Sequence, residues 1–212
     1  EIYFKGGTAL RLLYQSARFS EDLDFTSTYD KKTIEKIITD VEKSIQSELP
    51  ELNITIIYLG KNGVRYRIKY QNSDFKFPFV IRLDISSGKR FTEYETAPII
   101  SKFPIINFPI VVHLSQSEIF AEKIRALIGR SKGRDLYDSW YLFEKGAMLD
   151  QKLVEEKMKE IGKVYNKEIL LKKIKNFSDR QISQDLAQFL PLSQKKVIPF
   201  IKNKLREYIE KI

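Results

Sequence analysis

Hydrophobic and polar positions change period along this chain, and the change divides it. In the first half a period of two dominates. "DLDFTS" (residues 22–27) alternates acidic and apolar side chains, as a half-buried strand does. "LNITIIYL" and "VRYRIKY" are rich in β-branched and aromatic residues and flank "GKNG", where Asn62-Gly63 tolerates positive φ; together they predict a hairpin. "FPFVIRLDIS" predicts a third strand, and "IVVHL" another after the irregular, Pro-punctuated passage from Pro98 to Pro109. Two helices are expected between them. One is short, Thr8 to Gln15 behind a double glycine; the other, Lys31 to Leu49, spaces Ile34, Ile37, Ile38, Val41 and Ile45 along one face.

From residue 115 onward the period lengthens to that of helices. "SQSEIFAEKIRALIGR", "RDLYDSWYLFEKG" and most of Gln151 to Ile212 read as helical, broken at Gly129–Gly133, Gly146, Asn176–Asp179 and Pro191. The pattern therefore predicts a mixed α/β region over residues 1–114 and a helical region over 115–212, with no internal repeat.

Composition narrows the chemistry. No apolar run approaches the 18 residues of a membrane span, so none is expected. There is no Cys, which removes disulfides, thiolate metal sites and cysteine nucleophiles together and fits a cytoplasmic protein. Glu1 stands where an initiator Met would, so further native sequence is expected before it. His113 is the one histidine; within "IVVHL" it reads as a buried structural residue, and His-rich metal sites are excluded. Chemistry must rest on carboxylates and cations.

The formal charge is +9, with 15 Lys/Arg against 8 Asp/Glu from Gln151 onward. A basic surplus is the electrostatic footprint of a polyanionic partner and says nothing about which one.

The carboxylates stand in a pattern. Side chains alternate across a strand, so Asp22 and Asp24 share one face while Leu23 and Phe25 share the other. In "FPFVIRLDIS" the residues Phe79, Ile81, Leu83 and Ile85 make an apolar face, leaving Val80, Arg82 and Asp84 opposite. If the two strands are neighbours, three aspartates converge. Three carboxylates repel unless a cation joins them, and Mg²⁺ (or Mn²⁺), a hard ion shared between carboxylates and substrate phosphates, is the expected one. Two such ions would clamp an in-line displacement at phosphorus, with Asp24 or Asp84 able to take the proton of the attacking hydroxyl. Gly6 and Gly7 let backbone approach a phosphate, and Thr8 opens a helix whose exposed N–H groups favour anions. Each motif alone has a plain reading, a tight turn and a solvated surface. Together and in this order they point to nucleotide chemistry.

"GGTALRLLYQSARFSEDLDF" resembles the signature of the nucleotidyltransferase superfamily, a Gly-Gly turn and short helix before Asp-x-Asp on a strand. With "EKIRALIGRSKGRDLYD" following, the chain resembles more narrowly the AbiEii/AbiGii toxins, including their MenT relatives, as far as about Phe143. The resemblance implies an α+β, polymerase-beta-like fold, in which a mixed sheet with helices is followed by a C-terminal helical domain. It further implies an enzyme that moves a nucleoside monophosphate from an NTP to an acceptor, RNA such as a tRNA 3′ end, and a cognate antitoxin.

The second motif is unusual by itself. Ile119, Lys123 and Leu127 are spaced by four, which puts Lys123 on or beside the apolar stripe of its helix, either snorkelling outward or meeting an anion. Arg130, Lys132 and Arg134 surround two glycines, and Asp135 and Asp138 share a face of the next helix, where pairing with these cations would be structural support. The resemblance implies that Lys123 and one of these aspartates, Asp138 by preference, complete the nucleotide site. It also places Ser20 beside the phosphates. Arg65, Arg67 and Lys69 share a face of "VRYRIKY" and are weaker candidates for substrate contact, since a solvated strand face accounts for them equally well. Two other expectations compete: nucleotidylation of a small molecule or protein, and a catalytically silent RNA-binding module.

Overall fold

The computed structural model describes residues 1–88, 93–101 and 108–212. The chain divides into two compact units: one of residues 1–14 and 20–113, the other of residues 15–19 and 114–212.

The first unit is built on a seven-stranded mixed sheet. Its strands are β1 (Ile2–Lys5), β2 (Asp22–Ser27), β3 (Leu52–Gly60), β4 (Gly63–Tyr70), β5 (Phe79–Ser87), β6 (Tyr94–Pro98) and β7 (Ile110–Leu114), in spatial order β3-β4-β5-β2-β1-β7-β6. The β3–β4–β5 meander is antiparallel, β5 then lies parallel to β2, and β2 runs antiparallel to β1. Helix α1 (Gly6–Tyr14) follows β1, and α2 (Lys31–Gln46) follows β2. Asp30 caps α2 by accepting from the Thr33 amide at 2.8 Å. Ile34 and Ile38 of α2 bury against Val64, Tyr66, Leu83 and Ile85, the core on one face of the sheet.

The structure departs from the sequence pattern at two strands and along one apolar face. "IYFK" forms β1 and "YETAP" forms β6, neither of which the pattern announced. Of the expected apolar face of β5, only Leu83 and Ile85 are buried; Phe79 and Ile81 are 56% and 42% exposed, because α2 covers the sheet only near its middle. The expected hairpin forms between β3 and β4, with Gly63 taking positive φ, at 143°. Gly63 is required there because a Cβ would run into the Ile85 carbonyl of β5. Of the irregular passage from Pro98 to Pro109, residues 102–107 lie outside the described residues.

The second unit is helical: α3 (Gln116–Arg130), α4 (Gly133–Glu144), α5 (Gln151–Glu160), α6 (Lys167–Asn176), α7 (Asp179–Leu186), a 3₁₀ turn at Leu192–Val197, and α8 (Ile198–Lys211). Side-chain caps from Ser115, Asp150, Asn166 and Ser178 start four of these helices. The core gathers Phe120, Ile124 and Leu127 of α3 with Leu136 of α4 and Ile201, Leu205 and Ile209 of α8, all fully buried. Gly133 opens α4 against α7: its amide donates to Asp185 at 2.6 Å, and a Cβ there would fall 2.8 Å from that residue's Cβ. The segment 15–19 joins this unit, with the Phe19 amide donating to the Phe189 carbonyl at 2.7 Å. Among the described residues no helix is long and apolar enough to cross a membrane.

Candidate active site

Parallel pairing of β2 with β5 puts Asp24 in register with Asp84 and Asp22 in register with Arg82. Register partners on neighbouring strands present their side chains to the same face. That face lies opposite the Leu23, Leu83 and Ile85 side, so the apolar partners fill the core and the carboxylates stand on the other surface. One cross-strand row carries Lys5, Asp24, Asp84, Arg65 and Tyr58 over five strands.

Two of the three aspartates, Asp22 and Asp84, meet on one cation, a protein side chain. The Arg82 guanidinium donates to Asp22 and has its Nε 3.4 Å from Asp84, while Arg65 donates to the other Asp84 oxygen. Hydrogen bonding to Asp22 and the charges of Asp22, Asp84 and Asp24 push the Arg82 pKa up against a desolvation penalty. The donor set, oxygen only and net acidic, suits a hard divalent ion in kind and in strand position. As the side chains stand, Asp22 and Asp84 are turned to the arginines, and among the described residues no three acidic or histidine side chains are gathered to chelate an ion.

The glycine turn is tied to these carboxylates. Gly6 has φ of 80°, and a Cβ on it would sit inside the Asp24 carboxylate. Only glycine lets the start of α1 and Asp24 share that space. The Thr8 hydroxyl donates to the Asp22 carbonyl, fastening α1 to β2. With that proton engaged, Thr8 can offer a phosphate only its backbone N–H. Gly7 is buried, and Ser20, two residues before Asp22, is partly exposed.

The other expected site residues sit in the helical unit, in a buried ionic network. Asp138 is fully buried; its two oxygens accept from Arg18 Nε at 2.6 Å and Nη2 at 2.8 Å, and Lys123 Nζ lies 2.7 Å from the second. Burial alone would push this carboxyl up; the guanidinium of Arg18 and the ammonium of Lys123 outweigh it and hold it at about 2. Lys123 does not snorkel: it is 9% exposed and meets an anion. Asp138 is thus enclosed between Arg18 and Lys123, with both carboxylate oxygens engaged. Asp135 is likewise buried, held bidentate by Arg130 at 2.7 and 2.8 Å, the structural pairing that the sequence left open. His113 is buried, edge-on to Tyr14. Arg18, Arg65 and Arg82 are the participants that sequence reasoning passed over as partners of the aspartates. Arg82 did carry a signal, since it shares the face of Asp84.

A family profile described as "Nucleotidyl transferase AbiEii toxin, Type IV TA system" matches residues 1–209. The chain belongs to the AbiEii family. It is accordingly a nucleotidyltransferase, the toxin of a type IV toxin–antitoxin system. Among solved structures, the chain is similar to MenT4, a nucleotidyltransferase toxin from Mycobacterium tuberculosis H37Rv, with a TM-score of 0.68 and 17% identity over 100% of this chain and 76% of that one. It is also similar to JHP933 from Helicobacter pylori, with a TM-score of 0.55 and 24% identity over 99% of this chain and 85% of that one. At such identities these likenesses carry the AbiEii fold alone. No curated protein matches the chain.

Proposed function

We propose that this AbiEii toxin transfers a nucleoside monophosphate from an NTP to the 3′ end of an RNA acceptor such as a tRNA, in the cytoplasm, and that its cognate antitoxin counters the resulting growth arrest. The observation that carries this reading is the register of Asp24 with Asp84, with Asp22 on the same face and the Gly6 turn closed against Asp24.

In this reading Asp22, Asp24 and Asp84 hold divalent ions, Mg²⁺ or Mn²⁺. Such ions, when bound, lower the energy of charge building on the phosphoryl oxygens and the departing pyrophosphate. Gly6 and Gly7 admit the triphosphate to the backbone N–H groups at the start of α1, with Thr8 and Ser20 beside it. Lys123, held by Asp138, neutralises charge on the nucleotide. The acceptor hydroxyl oxygen attacks the α-phosphorus as the bond to the β-phosphate oxygen breaks. Its proton passes to Asp24 or Asp84, and pyrophosphate leaves with the electron pair.

A silent binding module is disfavoured because a pure RNA binder gains nothing from three carboxylates facing a polyanion. The experiment is incubation with each α-labelled NTP and total RNA, followed by a gel separating RNA, protein and small products. Label in an RNA band is expected from one or more NTPs. Label in protein or in a small product would overturn the acceptor.

A further inference from the structure

The face of the sheet that bears the aspartates continues past them onto β4 and β3, and there it is basic. Arg65 stands in register with Asp84, Arg67 with Arg82, and Lys69 with Val80. On β3, Tyr58 pairs with Arg65, Thr55 with Arg67 and Asn53 with Lys69. α2 packs on the opposite face against Val64 and Tyr66, so these outward residues are uncovered: Arg67 and Lys69 are exposed, and Tyr58 is 50% exposed. Past Asp84 none of these positions is acidic. Among the described residues, no ion pair engages Arg67 or Lys69.

The inference rests on the proposed RNA acceptor, and the geometry separates two ligands. Lys69 faces Val80, four residues before Asp84, about 13 Å along the strand. An NTP whose α-phosphate lies at the carboxylates has its charge concentrated there and needs no cation at that distance. A polynucleotide does, because its charge repeats along the chain. Tyr58, with the Arg65 guanidinium 6.0 Å from its ring centre, adds an aromatic face, and every base can stack on such a face whatever its identity. We infer that the exposed β5–β4–β3 face is the platform for the single-stranded end of the RNA acceptor, with Arg67 and Lys69 on its phosphates and Tyr58 under a base, leading the terminal hydroxyl to the aspartates.

The test uses the full chain, a fluorescein-labelled single-stranded oligoribonucleotide and a KCl series. Arg67→Gln/Lys69→Gln is compared with wild type and with Lys31→Gln/Lys32→Gln, an equal loss of charge at the exposed start of α2. The platform variant is expected to flatten the slope of log Kd against log salt by about 0.7 for each phosphate contact removed. Tyr58→Ala is expected to weaken binding at least about fivefold. NTP affinity should stay at the wild-type value in both, which also reports an intact fold. An unchanged slope, an equal change in the α2 control, or a matching loss of NTP affinity would each overturn the platform. Label transfer to RNA separates this outcome from failure of the acceptor reading. Transfer by wild type and platform variant alike sinks the platform alone, whereas no transfer to RNA by wild type sinks both.

Discussion

Arg18 and Asp138 stand 120 residues apart in sequence and meet through two hydrogen bonds inside the helical unit, at 2.6 and 2.8 Å. The pair is a bidentate fork on a fully buried carboxylate, and Lys123 supplies the second positive charge. Removing the anion leaves two buried cations facing each other. Asp138→Asn should therefore destabilise the protein by roughly 3–5 kcal/mol, read as a drop in the denaturant midpoint at unchanged slope. A loss within about 1 kcal/mol would show that the network is solvated in solution.

The same network predicts an acid limb of stability. The folded Asp138 carboxyl sits at about 2, below its unfolded value near 3.9, so its contribution is present above the unfolded value and is lost as pH falls through the folded one. Melting temperature should fall between about pH 4 and pH 2 more steeply in wild type than in Asp138→Asn. Parallel curves for the two proteins would contradict the assignment.

Lys123 is the residue at which support and chemistry can be told apart. Lys123→Ala leaves Asp138 still paired with Arg18, so the expected stability loss, about 1–2 kcal/mol, is smaller than that of Asp138→Asn. NTP affinity and turnover should both fall. Lys123→Arg should recover little, because a planar fork does not fit where a compact ammonium already sits 2.7 Å from Asp138. Wild-type kinetics in both variants would confine Lys123 to structural support.

Two glycines with nearly the same backbone separate strain from chemistry. Gly6 and Gly146 have φ of 80° and 81°, but a Cβ at Gly6 meets the Asp24 carboxylate while one at Gly146 meets nothing within 4 Å. Gly146→Ala should lower stability by roughly 1–2 kcal/mol through the unfavourable φ, and Gly6→Ala by more, because its Cβ also meets Asp24. Transfer activity should collapse only in Gly6→Ala. Equal activity in the two variants would detach the glycine turn from the site.

The sequence made visible whatever depends on local period. β2, β5 and α2 followed from alternation and helical spacing, and the shared face of Asp22 with Asp24 followed from strand geometry alone. What it withheld depends on register and long-range pairing. That Asp24 meets Asp84, with Arg82 across from Asp22, is set by how β5 slides along β2, and no spacing within either strand encodes it. Arg18 lies within the glycine–aspartate signature, yet its partner is in α4, and nothing local distinguishes it from a solvated arginine. β1 and β6 are short and carry little alternation, so neighbouring strands decide them and their own residues do not.

The central claim is that the Asp22, Asp24 and Asp84 face is the reaction centre, and Asp24 tests it most directly because it touches both halves of the arrangement, the Gly6 turn and the Asp84 register. The measurement is transfer of label from an α-labelled NTP by Asp24→Asn, with melting temperature recorded on the same preparation. The side chain keeps its size and loses its charge, so the fold should remain within about 1 kcal/mol of wild type while transfer falls by at least about a hundredfold. Retention of most of the transfer activity by a folded Asp24→Asn protein would contradict the account.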